Sequence, residues 1–140
     1  MRSSVFATGG IGTAPHHLGA DAGRDVLRDG GNAVEAMIAM AAAIPVVYPH
    51  MNAIGGDSFW IVKPAGGAPI GIDACGAAAG AATDALYRDA GHDAIPTRGP
   101  LAANTVAGTL SGWQAAFELA GKMGGSLSRE RLVEAAIHHA

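Results

Sequence analysis

The sequence predicts a helix-rich α+β domain, α/β in the broad sense, with one antiparallel β-hairpin. Three observations support this prediction. First, 49% of the 140 residues are apolar, mostly alanine with few aromatic residues, which favours helices that pack through small side chains. Second, 21 glycines are too many for a simple helical bundle and supply several tight turns. Third, two short β-type runs flank a Pro/Gly-rich connection at 64–69, a pattern typical of a hairpin.

The first 31 residues are predicted to form a short strand and a first helix. Residues 5–8 (VFAT) have strand character, and a glycine-rich loop follows them. The first helix is expected from Asp21 to Asp29, because an acidic residue at its start suits the helix dipole. The glycine pair at 30–31 then offers a left-handed stop.

A second helix is predicted to be buried. Asn32 caps it, and Glu35 three residues later completes a capping-box pattern. Residues 36–44 are apolar on every side of the helix, so protein must surround it, which favours a layered body. Pro45 is expected to end the helix.

The remaining sequence is predicted to form the hairpin and three further helices. The hairpin strands are residues 58–62 and 70–73, and residues 96–104 are expected to be extended. The helices are identified by caps and apolar spacing: one from Thr83 to about Ala90, one with Leu110, Trp113 and Phe117 that Gly121 stops, and one capped by Ser128. The last helix reaches Ala140 without a capping residue or a turn, so we interpret the chain as a piece of a longer polypeptide.

Charge, apolar runs and cysteine content argue against several classes of function. The net charge is −3 and the basic residues are scattered singly, so no nucleic-acid partner is expected. The longest apolar run is too short to cross a bilayer and no secretory signal is recognisable, so no membrane partner is expected. With Cys75 as the single cysteine, these features favour a soluble, cytoplasmic protein.

Local motifs alone do not indicate a catalytic site. The glycines at 9–12 lack the third glycine of a dinucleotide fingerprint, because Pro15 stands at that position, and no metal-ligand spacing is present. No cofactor or metal is therefore expected. Cys75 has no neighbouring base that would activate a nucleophilic thiol. Asp57 and Asp73 could pair as acid and base, or be ordinary carboxylates at loop and strand ends.

Four segments, in the same order along the chain, resemble the γ-glutamyltranspeptidase family. Residues 30–36 (GGNAVEA) resemble its segment G-G-N-A-[VI]-[DE]-A, and residues 47–59 (VYPHMNAIGGDSF) resemble its signature V-E-P-x-x-x-G-I-G-G-G-x-F. Residues 72–73 begin the segment written L-D-x-R-E-x-A-P, and residues 105–109 (TVAGT) resemble V-P-G-T. The resemblance spans nearly the whole chain.

This resemblance implies an N-terminal-nucleophile hydrolase with a four-layer αββα fold. Such a protein is made as one precursor, which cleaves itself to expose a threonine that forms an acyl-enzyme with its own α-amino group as base. Residues 1–140 would be the N-terminal portion of the large subunit, with the small subunit absent from this chain. No catalytic residue is then expected here, and the implied partners are the small subunit with the nucleophilic threonine and a small-molecule amide.

The chain departs from the family pattern at the loop that binds substrate. The family arginine that grips the α-carboxylate of a γ-glutamyl group aligns with Cys75, and Gly76 follows it in place of glutamate. Loss of such a bidentate contact would weaken binding by about 2–5 kcal/mol. Cys75 is therefore the predicted substrate-binding residue, and a smaller amide is favoured over glutathione, as in amidohydrolase members such as oxamate amidohydrolase. Ala107 replaces the proline of V-P-G-T, which loosens a turn.

Two functions remain open from the sequence. The first is a large-subunit fragment of an acyltransferase or amidohydrolase, inactive by itself. The alternative is a non-catalytic remnant or structural subunit of the same fold.

Overall fold

A buried helix and a β-hairpin dominate the fold that the computed structural model describes for residues 4–140. The elements run in the order α1 (His17–Arg28), α2 (Ala33–Val47), β1 (Ser58–Val62), β2 (Ile70–Ala74), α3 (Asp84–Asp89), a 3-10 turn (Pro100–Ala102), α4 (Thr109–Lys122) and α5 (Arg129–His139). Residues 1–3, which belong to the stretch searched for a secretory signal, lie outside the described residues.

The capping box predicted at the start of α2 is present. The side chain of Asn32 accepts hydrogen bonds from the amides of Val34 and Glu35, both at 3.0 Å, and the Glu35 carboxylate accepts one from the Asn32 amide at 2.8 Å. The Asn32 side-chain amide also donates to the carbonyl of Ala120 in α4, at 3.0 Å. The cap therefore fixes the start of α2 and its position against α4.

Protein surrounds α2, as its apolar character predicts. Helices α1, α4 and α5 pack on it, and its buried residues include Ile38, Ala39 and Ala43. Helix α1 packs closely on α2 because it has glycine at positions 19 and 23. A Cβ added at Gly19 or Gly23 would lie 2.5 Å from side-chain atoms of α2. Burial on several sides supplies the hydrophobic stabilisation of the fold.

Pro45 does not end α2, contrary to the sequence prediction. It lies in the last turn, and the amide of Tyr48 closes that turn by donating to the carbonyl of Ile44 at 2.8 Å. The helix ends two residues later because Pro49 disfavours the helical conformation at Tyr48, whose φ and ψ are −140° and 52°.

The hairpin forms with the predicted strands, extended by one residue to Ala74. Its register pairs Ser58 with Ala74 and Val62 with Ile70. Trp60 faces the core, whereas Phe59 and Ile61 on the opposite face are 69% and 85% exposed. The β1 part of the uncovered face is thus apolar, with alternation typical of a strand.

Three other element predictions need correction. Residues 5–8 do not form a strand: the sheet of the described residues has only β1 and β2, and a strand requires a hydrogen-bonded neighbour. Helix α1 begins at His17 rather than Asp21, because the His16 ring accepts a hydrogen bond from the Leu18 amide. Helix α4 continues through Gly121.

The remaining helices follow the prediction closely. Thr83 caps α3 and Ser128 caps α5, each through its side-chain oxygen. The prediction that segment 96–104 is extended is wrong in part, because residues Pro100–Ala102 form the short 3-10 turn. No helix in the part of the chain that the structure describes is long and apolar enough to cross a membrane.

Candidate substrate-binding loop

Three backbone segments meet at the end of the hairpin and form what we call the Cys75 loop: residues 55–57 before β1, residues 74–76 after β2, and residues 105–109 before and at the start of α4. The Gly56 carbonyl accepts hydrogen bonds from the amides of Gly108 and Thr109, at 2.9 and 2.8 Å. It also accepts one from the Thr109 hydroxyl at 2.7 Å. The first segment is therefore tied to the start of α4.

A chain of side-chain hydrogen bonds connects this loop to the core. The indole N–H of Trp60 donates to the Ser58 hydroxyl at 3.3 Å, and that hydroxyl donates to the carbonyl of Thr109 at 3.4 Å. Trp60 and Thr109 are buried. The loop is thus supported by well-packed residues of the hairpin and α4.

Glycines allow the segments to approach one another closely. A Cβ at Gly76 would overlap the carbonyl oxygen of Val106, and a Cβ at Gly108 would overlap the carbonyl oxygen of Ala74. The neighbouring atoms are backbone atoms, which cannot move aside as a flexible side chain can. This tight packing explains why glycine is required at both positions.

Asp57 joins the first segment to the second. Its Oδ1 accepts a hydrogen bond from the amide of Gly76 at 2.9 Å, and its Oδ2 lies 3.5 Å from the Sγ of Cys75. Asp73 binds the same turn from the other side, because its Oδ1 accepts the amide of Cys75 at 2.9 Å. Both carboxylates therefore anchor the turn, and the described residues place no arginine or lysine in an ion pair with either.

The thiol of Cys75 is exposed and has an acidic environment. Its hydrogen bond to Asp57, followed by the negative charge of that residue, raises the pKa of Cys75 above its usual value. Desolvation and the charge of Asp73 act in the same direction. These surroundings oppose formation of a nucleophilic thiolate, in agreement with the sequence interpretation that this cysteine is not a catalytic nucleophile.

The role of Asp57 in this loop was missed by the sequence analysis. The sequence left two roles open for Asp57 and Asp73, an acid and base pair or ordinary carboxylates at loop and strand ends, and both serve as acceptors for backbone amides, as the second role implies. A signal was available: the signature that residues 47–59 resemble has glycine where this chain has Asp57. The departures at positions 57 and 75 are in contact in the structure.

Other motifs from the sequence form no site in the structure. The glycines at 9–12 follow irregular backbone rather than a strand, so they lack the context of a dinucleotide site. Across residues 4–140, no group of three or more histidine, cysteine or acidic side chains is gathered as a metal site would need.

Comparison with known proteins identifies close relatives. A model of the gamma-glutamyltranspeptidase family matches residues 19–140. The chain is 52% identical, over its whole length, to the oxamate amidohydrolase proenzyme of Klebsiella pneumoniae subsp. pneumoniae, of which it covers 26%. It is 36% identical over 88% of its length to the glutathione hydrolase-like YwrD proenzyme of Bacillus subtilis, covering 23% of that protein. The chain thus spans about a quarter of the length of these relatives.

A solved structure shares the fold. The gamma-glutamyltranspeptidase of Helicobacter pylori superimposes with a TM-score of 0.82 at 30% sequence identity, over 96% of this chain and 38% of that one. These matches confirm the resemblance found in the sequence and the helix-rich α+β fold.

Proposed function

We propose that this chain, which belongs to the gamma-glutamyltranspeptidase family, forms the first part of the large subunit of an amidohydrolase or acyltransferase. The observation that supports this most strongly is the 52% identity to an oxamate amidohydrolase proenzyme across the whole chain. Both curated relatives described above are proenzymes, which is consistent with a companion small subunit.

The attacking group would lie outside residues 1–140. A threonine exposed by cleavage of the precursor would attack the amide carbonyl while its own α-amino group accepts the hydroxyl proton, and water would then hydrolyse the acyl-enzyme. Backbone amides of the small subunit would stabilise the oxyanion. Residues 1–140 would supply scaffold and one wall of the pocket, and would be inactive alone.

The Cys75 loop would be that wall. A thiol at position 75 cannot grip a carboxylate as the arginine of the family pattern does, because it offers no positive charge and no bidentate donor pair. The preferred substrate would therefore be a small amide other than a γ-glutamyl compound. The exposed free thiol of Cys75 fits a reducing compartment, and we propose that the protein is cytoplasmic.

The hairpin would extend a sheet of the complete enzyme. Its outer face, with Phe59 and Ile61 exposed, has the apolar character of a surface that packs against another layer. The remainder of the precursor would supply that layer.

The proposal is tested with the full-length precursor. We expect it to cleave into two polypeptides and then to release ammonia from oxamate, with γ-glutamyl-p-nitroanilide a poor substrate. Replacement of the newly exposed threonine by alanine should abolish turnover while leaving the fold intact. Turnover by residues 1–140 alone that equals turnover by the processed enzyme would contradict the proposal. A wild-type precursor that stays uncleaved and hydrolyses no amide would favour a structural role.

A further inference from the structure

Two carboxylates lie beside Cys75, the residue that would face the far end of a substrate in the proposed function. Asp57 approaches Cys75 from the loop before β1, and Asp73 approaches from the end of β2. The two aspartates come from segments held together by backbone hydrogen bonds and close glycine contacts, so their positions are fixed by the fold.

We propose that Asp57 is a specificity-determining residue, whose carboxylate disfavours substrates that bring an anionic group to position 75. This inference rests on the proposed function, because it takes the Cys75 loop as a wall of the substrate pocket. Asp73 contributes to the same field. The favoured substrates are amides that bring no carboxylate to position 75: their far end is neutral or cationic, or, as in oxamate, the carboxylate is bonded directly to the amide carbonyl and stays at the reacting end.

The geometry separates this role from that of a simple loop anchor. One oxygen of Asp57 accepts the Gly76 amide, and the other lies 3.5 Å from the exposed thiol of Cys75. Asparagine at position 57 keeps an acceptor oxygen for the Gly76 amide but has no charge. Charge and anchoring can therefore be tested independently.

The same contacts alter the expected effect of arginine at position 75. A guanidinium there would lie between two carboxylates and would pair with them, as arginine does with carboxylates elsewhere. Paired in this way, it would be less available to a substrate carboxylate. Positions 57 and 75 thus act together in setting specificity.

The decisive experiment compares four p-nitroanilides on the processed full-length enzyme: butyryl (neutral), glutaryl (anionic), 4-aminobutyryl (cationic) and γ-glutamyl (both charges). The wild type should hydrolyse the glutaryl anilide less efficiently than the butyryl anilide. Asp57→Asn should raise the glutaryl-to-butyryl ratio of kcat/KM by about fivefold, as expected for the loss of one partly screened charge, and mainly through KM.

Matched variants keep the result interpretable. Asp93→Asn removes a charge from an exposed residue outside the loop and should leave the ratio unchanged. Asp73→Asn should shift the glutaryl-to-butyryl ratio in the same direction as Asp57→Asn. It replaces Asp57→Asn as the test variant if the Asp57→Asn precursor does not cleave into its two subunits. A second readout needs no turnover: Asp57→Asn should increase the rate at which anionic iodoacetate labels Cys75 relative to neutral iodoacetamide.

Two results would overturn the inference in distinguishable ways. An active wild type whose glutaryl-to-butyryl ratio is unchanged in both aspartate variants refutes the role of Asp57 and leaves the proposed function standing. A processed wild type that hydrolyses none of the anilides and no oxamate refutes the proposed function, and the inference falls with it.

Discussion

The carboxylate of Glu35 in α2 accepts a hydrogen bond from the backbone amide of Leu127, at 2.8 Å, across 92 residues of sequence. Its other oxygen accepts the amide of Asn32, and the residue is 1% exposed. A single buried side chain therefore satisfies two backbone donors, one at the start of α2 and one in the connection between α4 and α5.

Glu35→Ala is expected to destabilise the protein by about 3 kcal/mol, because it leaves two partly buried amides without acceptors. Glu35→Gln should cost about half as much, since its amide nitrogen would face one of the two N–H donors. The midpoint of thermal or urea denaturation of the assembled protein measures both effects. Glu118→Ala, on an exposed site of α4, is the control and should change the midpoint little.

Gly112→Ala should destabilise the contact between α4 and the hairpin by about 2 kcal/mol. The added methyl group would overlap the Ser58 hydroxyl and lie 2.8 Å from the Cβ of Ala74. Gly121→Ala in the same helix has no atom within 4 Å of the new Cβ and should be neutral or stabilising by up to about 1 kcal/mol. Equal denaturation midpoints for the two variants would contradict this packing.

Alkylation of Cys75 should require a higher pH than alkylation of an unperturbed cysteine. The hydrogen bond and charge of Asp57 raise the pKa of the thiol. At a given pH, a smaller fraction of Cys75 is therefore in the reactive thiolate form than for an unperturbed cysteine. The rate of iodoacetamide labelling, followed for the Cys75 peptide by mass spectrometry between pH 7 and 10, gives the titration midpoint. Asp57→Asn should move that midpoint to lower pH and Asp93→Asn should not; a wild-type midpoint below that of free cysteine would refute the prediction.

Cys75→Arg alone should give only a small gain in γ-glutamyl-p-nitroanilide turnover, below about threefold, because Asp57 and Asp73 would hold the guanidinium. The double variant Asp57→Gly/Cys75→Arg should gain about tenfold or more, since the arginine can then bind the substrate carboxylate. The kcat/KM values of the wild type, the single variants Asp57→Gly and Cys75→Arg, and the double variant form a double-mutant cycle. Additive effects would show that the two positions act independently.

Local signals in the sequence were sufficient for much of the fold. Caps at Asn32, Thr83 and Ser128 were predicted correctly, because a cap depends only on residues within one helical turn. The hairpin was predicted to within one residue for the same reason: alternation and turn residues are adjacent in sequence.

The failures involve contacts that sequence spacing does not report. Residues 5–8 have strand propensity but no partner strand among the described residues. Pro45 was predicted to end α2, but a proline in the last turn of a helix removes only one hydrogen bond. For the candidate site, Cys75 was found through the family resemblance, whereas its contact with Asp57 across 18 residues required the structure.

The Cys75 loop separates positions that can change from positions that cannot. Gly76 and Gly108 are enclosed by backbone atoms, while the side chains of Asp57 and Cys75 are exposed and displace no core atom when they vary. Under the proposed function, related enzymes would acquire new substrate preferences by exchanging two surface side chains without a change in the backbone of the loop. A saturation library of this loop would then show broad tolerance for folding at the exposed pair and almost none at the two glycines.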